Sequence, residues 1–409
     1  MPPTLSVLTR NRDFRALFGA ELVVFGADWF VMVPLLVLLP ELTGSGSWGA
    51  LVLAVDTGVL ALLLPYTGTV ADRVDRKRIM VISNLAALGG ALALLLTRGP
   101  AAGWIAVGAV GAIAVAKAFY SPAASAALPN VVEPEDLASA NAISGSAWGT
   151  MTVVGASLGG VLSELVSPYT CFVVAAVSLA VAAVLTWGIR RPLQVRGDGA
   201  QPAVRAWVAI AESLSYIRRT PRVLALVTVK SAAGLGNGVL TVFPLLAGVF
   251  GVGAVGTGLL FAVRGAGALV GPLLTRPLLS RRSWLLPGLA LSMSGYGLSY
   301  LGVSLAPWFW LVLVLVFVAH FAGGTNWVLS NYALQAEVPD HLRGRVFATD
   351  MMLATLAISA SQLALLPLVD RVDERVLIAA CGSVTLLYAI AWSIATRRLS
   401  RAAEEVLSS

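Results

Sequence analysis

The stretch Gly68-Thr69-Val70-Ala71-Asp72-Arg73-Val74-Asp75-Arg76-Lys77-Arg78 is a dense charge cluster between two long apolar segments. Ser47–Ala71 precedes the charges with Asp56 as its only charged residue, and Ile79–Thr97 follows them with none. Each segment is close to the roughly 20 apolar residues that cross a bilayer. Because basic residues beside a span are retained on the cytoplasmic side, the stretch predicts a tight cytoplasmic turn between two transmembrane helices.

The composition of the whole chain also indicates a membrane protein. Of the 409 residues, 58% are apolar and only 12% are charged, about half the charged fraction of a soluble domain. The net charge of +7 comes from arginines in short segments between apolar runs, so it reflects topology rather than nucleic-acid binding. The two cysteines, Cys171 and Cys381, lie inside apolar runs and predict neither a disulfide framework nor a metal site. We expect no cofactor and no enzymatic activity.

Twelve apolar segments of membrane-spanning length follow one another along the chain. They cover about residues 14–39, 47–71, 79–97, 101–120, 137–164, 169–189, 223–249, 252–274, 284–303, 308–334, 346–369 and 376–395. A loop is predicted over 121–136, which contains three prolines. The expected fold class is an all-α integral membrane protein whose twelve transmembrane helices form two pseudo-symmetric six-helix bundles. The first bundle would be 1–189, the cytoplasmic linker 190–222, and the second bundle 223–409 with a short cytoplasmic tail.

The distribution of basic residues predicts the orientation. With the N-terminus inside, only Arg98, Arg371 and Arg375 fall on the outer side, so both termini are predicted to be cytoplasmic. The two halves also repeat: Gly68 matches Gly271 and Cys171 matches Cys381, with offsets of about 203–210 residues along the chain. Two parallel repeats with a site near the midplane between them are typical of a transporter.

Four motifs resemble those of the major facilitator superfamily. They are Asn11-Arg12-Asp13-Phe14-Arg15, the charged turn at 68–78, Leu128-Pro129 with Leu137-Ala138-Ser139-Ala140-Asn141, and Val338-Pro339-Asp340 with Arg343-Gly344-Arg345-Val346. The sequence looks most like the bacterial efflux branch that includes enterobactin and macrolide exporters. The resemblance implies secondary active transport by alternating access across the bacterial cytoplasmic membrane.

The resemblance also implies a conformational latch. Asp72 would face the N-terminus of helix 11 when the two halves are closed on the inside, where the helix dipole stabilises a carboxylate by roughly 0.3–2 kcal/mol. The predicted latch residues are Gly68, Asp72, Arg73 and Arg76, with Gly155 and Gly159 in a stretch of helix 5 that resembles a glycine motif of antiporters. The alternatives are a turn that only fixes topology and ordinary helix packing by small residues.

Three acids, Glu21, Asp28 and Asp56, are predicted to carry protons. A charge at the bilayer centre costs at least ~2.5–3.5 kcal/mol, so such residues usually face the bundle interior. Glu21 and Asp28 are seven residues apart and share one helix face. Asp28 is the preferred carrier because its repeat counterpart, Asn237, supplies no counter-charge. The alternative is a structural ion pair, such as Glu21 with Lys230, that never titrates.

Polar and aromatic residues in mid-span positions form the predicted substrate site. They are Trp29, Asn141, Trp148, Lys230, Asn237, Arg264, His320, Asn326, Trp327, Asn331 and Gln362. Aromatic walls with a few polar groups suit an amphipathic organic molecule. For His320 there is an alternative, namely that its side chain only forms a hydrogen bond between two helices. Lys117, near the predicted inner end of helix 4, is interpreted as a snorkelling residue.

The predicted function is proton-coupled efflux of amphipathic drug-like or natural-product molecules. The alternative is an importer or facilitator of a small polar metabolite, although the sequence lacks the dense hydrogen-bonding pocket that such a substrate would require. The expected partners are a small-molecule substrate, protons and membrane lipid, with no nucleic acid, and the expected oligomeric state is a monomer.

Overall fold

The computed structural model describes residues 6–194, 206–275 and 285–408, and this part of the chain is helical with no strands. After a short helix at Ser6–Arg10, the long helices of the first half are α1 (Arg12–Thr43), α2 (Ser47–Arg73), α3 (Arg76–Ala93), α4 (Ala102–Val131), α5 (Leu137–Leu165) and α6 (Pro168–Trp187). A linker helix covers Ala206–Arg219. The second half contains α7 (Pro221–Gly236), α8 (Gly253–Thr275), α9 (Leu285–Leu305), α10 (Phe309–Glu337), α11 (Asp340–Leu365) and α12 (Glu374–Ser408).

The helix ends follow local sequence signals. The Asn11 side chain accepts a hydrogen bond from the backbone N–H of Phe14 and caps α1. Gly44 ends α1 with φ of 70°, in the left-handed region that favours glycine. The Asp75 side chain accepts a hydrogen bond from the Arg78 N–H and caps α3. The charged stretch therefore forms the short turn between two long helices that the sequence predicts.

The loop predicted over 121–136 is wrong for most of its length. Helix α4 continues through Pro122 and Pro129 and ends at Val131. A proline inside a helix removes one backbone hydrogen bond and clashes with the preceding turn, at a local cost of about 3 kcal/mol. Residues 123–128 of this extension include several buried small or apolar side chains, and their burial offsets that cost. As a result, Lys117 lies near the middle of α4 rather than near its end.

Helix α7 is interrupted within the predicted seventh span. The α-helix ends at Gly236, a 3-10 segment covers Asn237–Val242, and an α-helix resumes at Phe243–Val249. A Cβ on Gly236 would lie 2.2 Å from Thr385 Oγ1 of α12, so only glycine permits this close approach. The interruption places Asn237 at a change of helical geometry facing the centre of the molecule.

The long helices pack as two sets. Helices α1–α6 contact one another, and α7–α12 contact one another. The sets meet along two seams, which α2 forms with α11 and α5 forms with α8. We name the end that carries the Gly44–Gly46 turn the α1–α2 face, and the opposite end, with the 74–75 turn, the basic face.

The helical membrane fold is confirmed. Ten helices in the described part are long and apolar enough to cross a membrane. Helices α5 and α9, which would complete the expected twelve, are not among those ten, although they pack beside them. Large apolar side chains such as Val184, Leu291 and Leu305 are 71–80% exposed, as expected of residues that contact lipid.

Candidate functional site

A cavity of about 280 Å³ lies between the two sets of helices. Helices α1, α2, α4, α5, α8 and α11 line it, together with the 3-10 segment after α7. The predicted site residues in its lining are Asp28, Trp29, Asp56, Trp148, Asn237, Arg264 and Gln362. The structure thus brings together, at one central cavity, seven predicted residues that the sequence places on six separate segments.

Three charged side chains form the polar wall of this cavity. Lys117 Nζ lies 3.0 Å from Asp28 Oδ2 and 3.1 Å from Asp56 Oδ1. The three side chains come from α4, α1 and α2 and are each only 19–23% exposed. We name them the lysine triad. Two carboxylates share one ammonium group, so the fully ionised triad carries a net charge of −1.

The lysine triad corrects two sequence interpretations. Lys117 is not a snorkelling residue, because α4 extends to Val131 and places its ammonium group in the centre of the helix set. Asp28 does have a counter-charge, supplied by α4 of its own half rather than by the repeat position Asn237. In the longer helix Lys117 lies away from the helix end, and its ammonium group contacts Asp28.

The opposite wall of the cavity is aromatic and crosses between the two sets. The rings of Trp29 and Phe261 lie 5.2 Å apart between centroids. The guanidinium carbon of Arg264 lies 5.6 Å from the centre of the Trp148 ring. Arg264 Nε is buried and has no hydrogen-bond partner among the described residues. This wall combines apolar surface with one cation, an arrangement that can hold an amphipathic molecule.

Gln362 joins the two sets at the edge of the cavity. Its Oε1 accepts a 2.8 Å hydrogen bond from the Thr57 hydroxyl, which links α11 to α2. Asn237 also lines the cavity, but its side-chain amide donates to the Ala233 carbonyl oxygen at 2.8 Å. Both polar groups could exchange these partners for a ligand.

A second charged cluster lies within the second set, outside the cavity lining. Lys230 of α7 forms an ion pair with Asp350 of α11, and its Nζ donates to Asn331 Oδ1 at 2.7 Å. The same Nζ lies 5.2 Å from the centre of the Trp327 ring. The Lys230 and Asp350 side chains are 1% and 2% exposed. Three residues predicted for the substrate site, Lys230, Trp327 and Asn331, therefore gather around a buried ion pair, and the alternative pairing of Lys230 with Glu21 is wrong.

The equivalent cluster in the first set surrounds Glu21. Glu21 lies beside Tyr120 of α4 and Ser144 of α5. These three positions precede Lys230, Trp327 and Asp350 by 206–209 residues, so the repeat superimposes one cluster on the other. Glu21 Oε2 and the hydroxyls of Tyr120 and Ser144 lack hydrogen-bond partners of good geometry in the described part of the chain. The cluster around Glu21 thus occupies the repeat positions of the Lys230 cluster but lacks its ion pair.

Three further predicted site residues lie away from the cavity lining. Asn141 is exposed and its side chain donates to the Leu137 carbonyl oxygen. Asn326 is buried and donates to Ser292 Oγ at 3.0 Å. His320 Nε2 lies 2.8 Å from the Tyr300 hydroxyl, and this bond joins α10 to α9. That geometry matches the interpretation of His320 as an interhelical hydrogen-bonding residue.

The predicted latch residues of the charged turn lie at the basic face. A Cβ on Gly68 would meet nothing within 4 Å, and Arg73 is exposed. Arg76 donates to the carbonyl oxygens of Ala126 and Leu193, so it ties the turn to its own half. The side chain of Asp72 lies outside the described part of the structure.

The two predicted latch glycines of α5 also contact their own half. Cβ atoms on Gly155 and Gly159 would approach Trp29 to 3.1 and 3.0 Å, so these glycines let α5 approach α1. The close approach between the sets occurs one residue later: a Cβ on Gly160 would lie 2.6 Å from the Ala254 carbonyl oxygen of α8.

Two carboxylates close the seams at the α1–α2 face. Asp370, after α11, accepts hydrogen bonds from the side chains of Ser45 and Ser47 and from the N–H of Gly46 at 2.6 Å. Glu164 of α5 accepts a 2.7 Å hydrogen bond from the Ala254 N–H at the start of α8. Each carboxylate thus satisfies backbone donors near the N-terminus of a helix in the other set. We name Asp370 and Glu164 the seam carboxylates.

Sequence reasoning missed several of these residues. Asp350 is the only charge in the predicted eleventh span, so the rule that singled out Asp28 should also have found Asp350. Asp370 and Glu164 lie near span ends, where charges are common and carry no signal. Phe261 looks like any apolar residue of a span. Among the described residues, no group of three or more His, Cys, Asp or Glu could hold a metal ion.

Comparison with known proteins identifies the relatives of this chain. The sequence profile of the Major Facilitator Superfamily matches residues 17–362. An uncharacterised MFS-type transporter of Mycobacterium tuberculosis is 31% identical over 315 residues, which cover 70% of this chain and 68% of that protein. A lysophospholipid transporter of Serratia proteamaculans is 28% identical over 162 residues, covering 40% of this chain and 39% of that one. The crystal structure of a POT family transporter shares the fold with a TM-score of 0.77 at 12% identity, covering 95% of this chain and 98% of that one.

Proposed function

Because the chain belongs to the Major Facilitator Superfamily and is a membrane transporter, we propose that it exports amphipathic organic molecules in exchange for protons. The observation that carries the proposal is the lysine triad in the wall of the central cavity. The fully ionised triad has a net charge of −1, and one bound proton makes it neutral. An uncompensated charge away from water is costly. Proton binding and release by the lysine triad therefore depend on whether a charged substrate group also occupies the cavity.

The proton is assigned to the lysine triad as a unit, in which either Asp28 or Asp56 can bind it. Asp28 and Asp56 both contact Lys117, so a proton on either carboxylate leaves one ion pair intact. A cationic group of a substrate near these carboxylates replaces the proton, because both neutralise the same charge. Competition of this kind gives exchange: substrate leaves as protons enter. Glu21 is a second candidate because one of its carboxylate oxygens, Oε2, is buried with no hydrogen-bond partner of good geometry among the described residues.

The lining of the cavity favours an amphipathic substrate. Trp29, Met32, Leu53, Trp148 and Phe261 supply apolar surface. The polar groups of the lining are concentrated in the lysine triad and the Thr57–Gln362 pair, and the others are Ser121, Asn237 and Arg264. A substrate can thus contact apolar surface and charged groups at once. A volume of about 280 Å³ is at the lower end of the roughly 300–1,000 Å³ of drug-sized sites. A larger substrate therefore requires the two sets to separate.

The function is tested by flux in proteoliposomes with and without a pH gradient. The panel should contain dyes, macrolides and siderophores, with lysophospholipids and peptides added because related or similarly folded proteins are named for them. Export predicts that a compound accumulates against its gradient only when protons flow the other way. Equilibration without accumulation would instead support the alternative, a facilitator or importer of a polar metabolite.

We further propose that residues 1–189 and 223–409 move as two bundles around the cavity, joined by the linker 190–222. Among the described residues, the hydrogen bonds that join the two sets extend from the α1–α2 face to the edge of the cavity, between 45–57 and 359–370 and between Glu164 and Ala254. Breaking them would open the cavity toward this face. The seam carboxylates are then the residues that bias the equilibrium between the two states.

Neutralising the seam carboxylates should open the cavity toward the α1–α2 face. In Asp370→Asn and Glu164→Gln, hydrogen bonds to a charged acceptor become weaker neutral ones, so about a tenfold shift toward the open state is expected for each. A cysteine at Met32, in the cavity lining, reports the change through its rate of labelling by a membrane-impermeant maleimide. Cys171 and Cys381 are both buried and contribute little background.

Asp373→Asn is the matched control for the seam experiment. Asp373 lies three residues from Asp370 but accepts from the N–H of Arg375, within its own segment. Its variant should label at the parent rate. Equal labelling rates in the parent protein and in the double variant Asp370→Asn/Glu164→Gln would contradict the role of these carboxylates in closure.

The seam should be insensitive to pH near neutrality. Burial raises the pKa of Asp370, but hydrogen bonds from Ser45, Ser47 and the Gly46 N–H outweigh burial and lower the pKa below its usual range. A lowered pKa means that ionised Asp370 stabilises closure above the ordinary aspartate value of about 3.9 and loses this effect only as the pH falls through the lowered value. The labelling rate at position 32 should therefore keep a constant ratio to that of the Asp370→Asn variant, measured at the same pH to correct for the thiolate fraction, between about pH 5 and 8. Coupling near neutrality is then left to the acids of the cavity.

The basic face is proposed to be cytoplasmic. Cysteines at exposed Arg371, near the α1–α2 face, should react with an impermeant reagent in intact cells. Cysteines at exposed Arg73, on the basic face, should react only after permeabilisation. The reverse pattern would overturn the proposed localisation of both termini in the cytoplasm.

A further inference from the structure

Arg264 is a cation of the central cavity without an anionic partner. Its guanidinium lies over the Trp148 ring, and both residues line the cavity. Its Nε is buried and makes no hydrogen bond within the described residues. A buried donor on a charged group is costly to leave unsatisfied, so the free protein holds here a group that a ligand could satisfy.

The neighbours of Arg264 do not neutralise it. The titratable side chains that interact electrostatically with it are Tyr296, Tyr300 and His320, and none of them is a carboxylate. The carboxylates of the cavity, Asp28 and Asp56, are engaged by Lys117 at 3.0–3.1 Å. Among the described residues Arg264 therefore has no ion-pair partner, in contrast to Lys230, which has Asp350.

We propose that Arg264 forms an anion subsite that binds the carboxylate, sulfonate or phosphate group of an amphipathic substrate. The planar guanidinium donates two parallel hydrogen bonds to such a group. Trp148 lies on one side of the guanidinium, at 5.6 Å from its carbon atom, and Nε has no hydrogen-bond partner among the described residues. This inference rests on the proposed function, since it assigns a chemical class to the substrate of the same cavity.

The other residues of the cavity would contact the hydrophobic portion and any cationic group of the substrate. The Trp29 and Phe261 rings, 5.2 Å apart, supply the apolar surface for its hydrophobic portion. A cationic group, where the substrate has one, would contact Asp28 or Asp56 of the lysine triad. Such a molecule satisfies the arginine with its anion and replaces the proton with its cation, so its binding agrees with exchange for protons.

The proposal is tested by binding without any gradient. Tritiated naphthalene-2-sulfonate is bound to the full-length protein in lipid nanodiscs, with empty nanodiscs as the blank. Competition by N,N,N-trimethyl-2-naphthylammonium and by uncharged 2-methoxynaphthalene measures the preference for charge on one apolar frame. The wild-type protein should prefer the sulfonate over the uncharged compound by at least about tenfold.

Three variants separate the subsite from general effects. Arg264→Gln should lose the sulfonate preference, and Arg264→Lys should retain part of it, because lysine keeps the charge but not the planar fork. Arg218→Gln removes an exposed arginine of the linker helix and should bind like the wild type. Direct binding of tritiated 2-methoxynaphthalene, measured separately, shows that a variant is folded when its affinity is retained.

The possible outcomes are distinct for the two proposals. Sulfonate binding that is unchanged in Arg264→Gln, or a wild type that prefers the ammonium or neutral compound, overturns the anion subsite. If Arg264→Gln does not fold, the wild-type preference and Arg264→Lys still decide. An anion preference with no proton-dependent flux for any compound would support the subsite and overturn proton-coupled export.

Discussion

Asp28→Asn should abolish accumulation of substrate driven by a pH gradient, so that the ratio of concentrations across the membrane falls to one. Asparagine leaves a single carboxylate, Asp56, opposite Lys117, and the pair is neutral without a proton. The variant then has no uncompensated charge for a proton to neutralise. Substrate binding and movement of substrate down its own gradient should continue, because the amide has the shape of the protonated acid. The measurement is uptake into inverted proteoliposomes with an imposed pH gradient.

Asp56→Asn is the second variant to measure in that experiment. It removes the other carboxylate of the triad and leaves Asp28 paired with Lys117 at 3.0 Å. If the triad carries the proton as a unit, the two variants should behave alike. Loss of coupling in Asp28→Asn alone would assign the proton to Asp28. An Asp28→Asn protein that still concentrates its substrate would exclude Asp28 and make Glu21 or Asp56 the next candidate.

Single substitutions in the buried pair of Lys230 and Asp350 should destabilise the protein strongly. Both side chains are almost completely buried, so Lys230→Met leaves an unpaired carboxylate and Asp350→Leu leaves an unpaired ammonium group. Removing one partner of a buried pair costs about 3–5 kcal/mol. The midpoint of thermal unfolding in a fixed detergent, measured by static light scattering, should therefore fall in both single variants.

The double variant Lys230→Met/Asp350→Leu distinguishes packing from function. Replacing a whole buried pair by apolar residues is often neutral or stabilising, so its unfolding midpoint should return toward that of the parent. Since neither residue lines the central cavity, the double variant should also bind substrate. A stable double variant without substrate binding would show that Lys230 belongs to the substrate site, as the sequence predicts.

The sequence predicted the fold because its signals are continuous and physical. Long apolar segments, arginines in the turns and an internal repeat define a helical membrane transporter, and the match to the Major Facilitator Superfamily confirms it. The efflux branch remains a prediction. Seven of the proposed cavity residues were found because polar residues are rare within spans and usually face the interior.

Two errors, the loop at 121–136 and the placement of Lys117, came from ending helix α4 too early. The prolines at 122 and 129 suggested a loop, but in α4 they lie within a helix whose side chains pack into the first set. Shortening that helix moved Lys117 from the centre of the molecule to its edge and hid the lysine triad. Ion pairs within one half, such as Lys230 with Asp350, also depend on which helices are neighbours, and periodicity along a single helix does not contain that information.

The most direct test of proton coupling is the movement of protons themselves. Proteoliposomes that contain a pH-sensitive dye, and are loaded with a compound that the flux panel identifies as substrate, are diluted so that only the substrate gradient drives transport. Exchange predicts that substrate efflux acidifies the lumen, and that Asp28→Asn moves substrate with no change of pH. Substrate efflux from the wild-type protein with a constant luminal pH would contradict proton coupling and identify the protein as a facilitator.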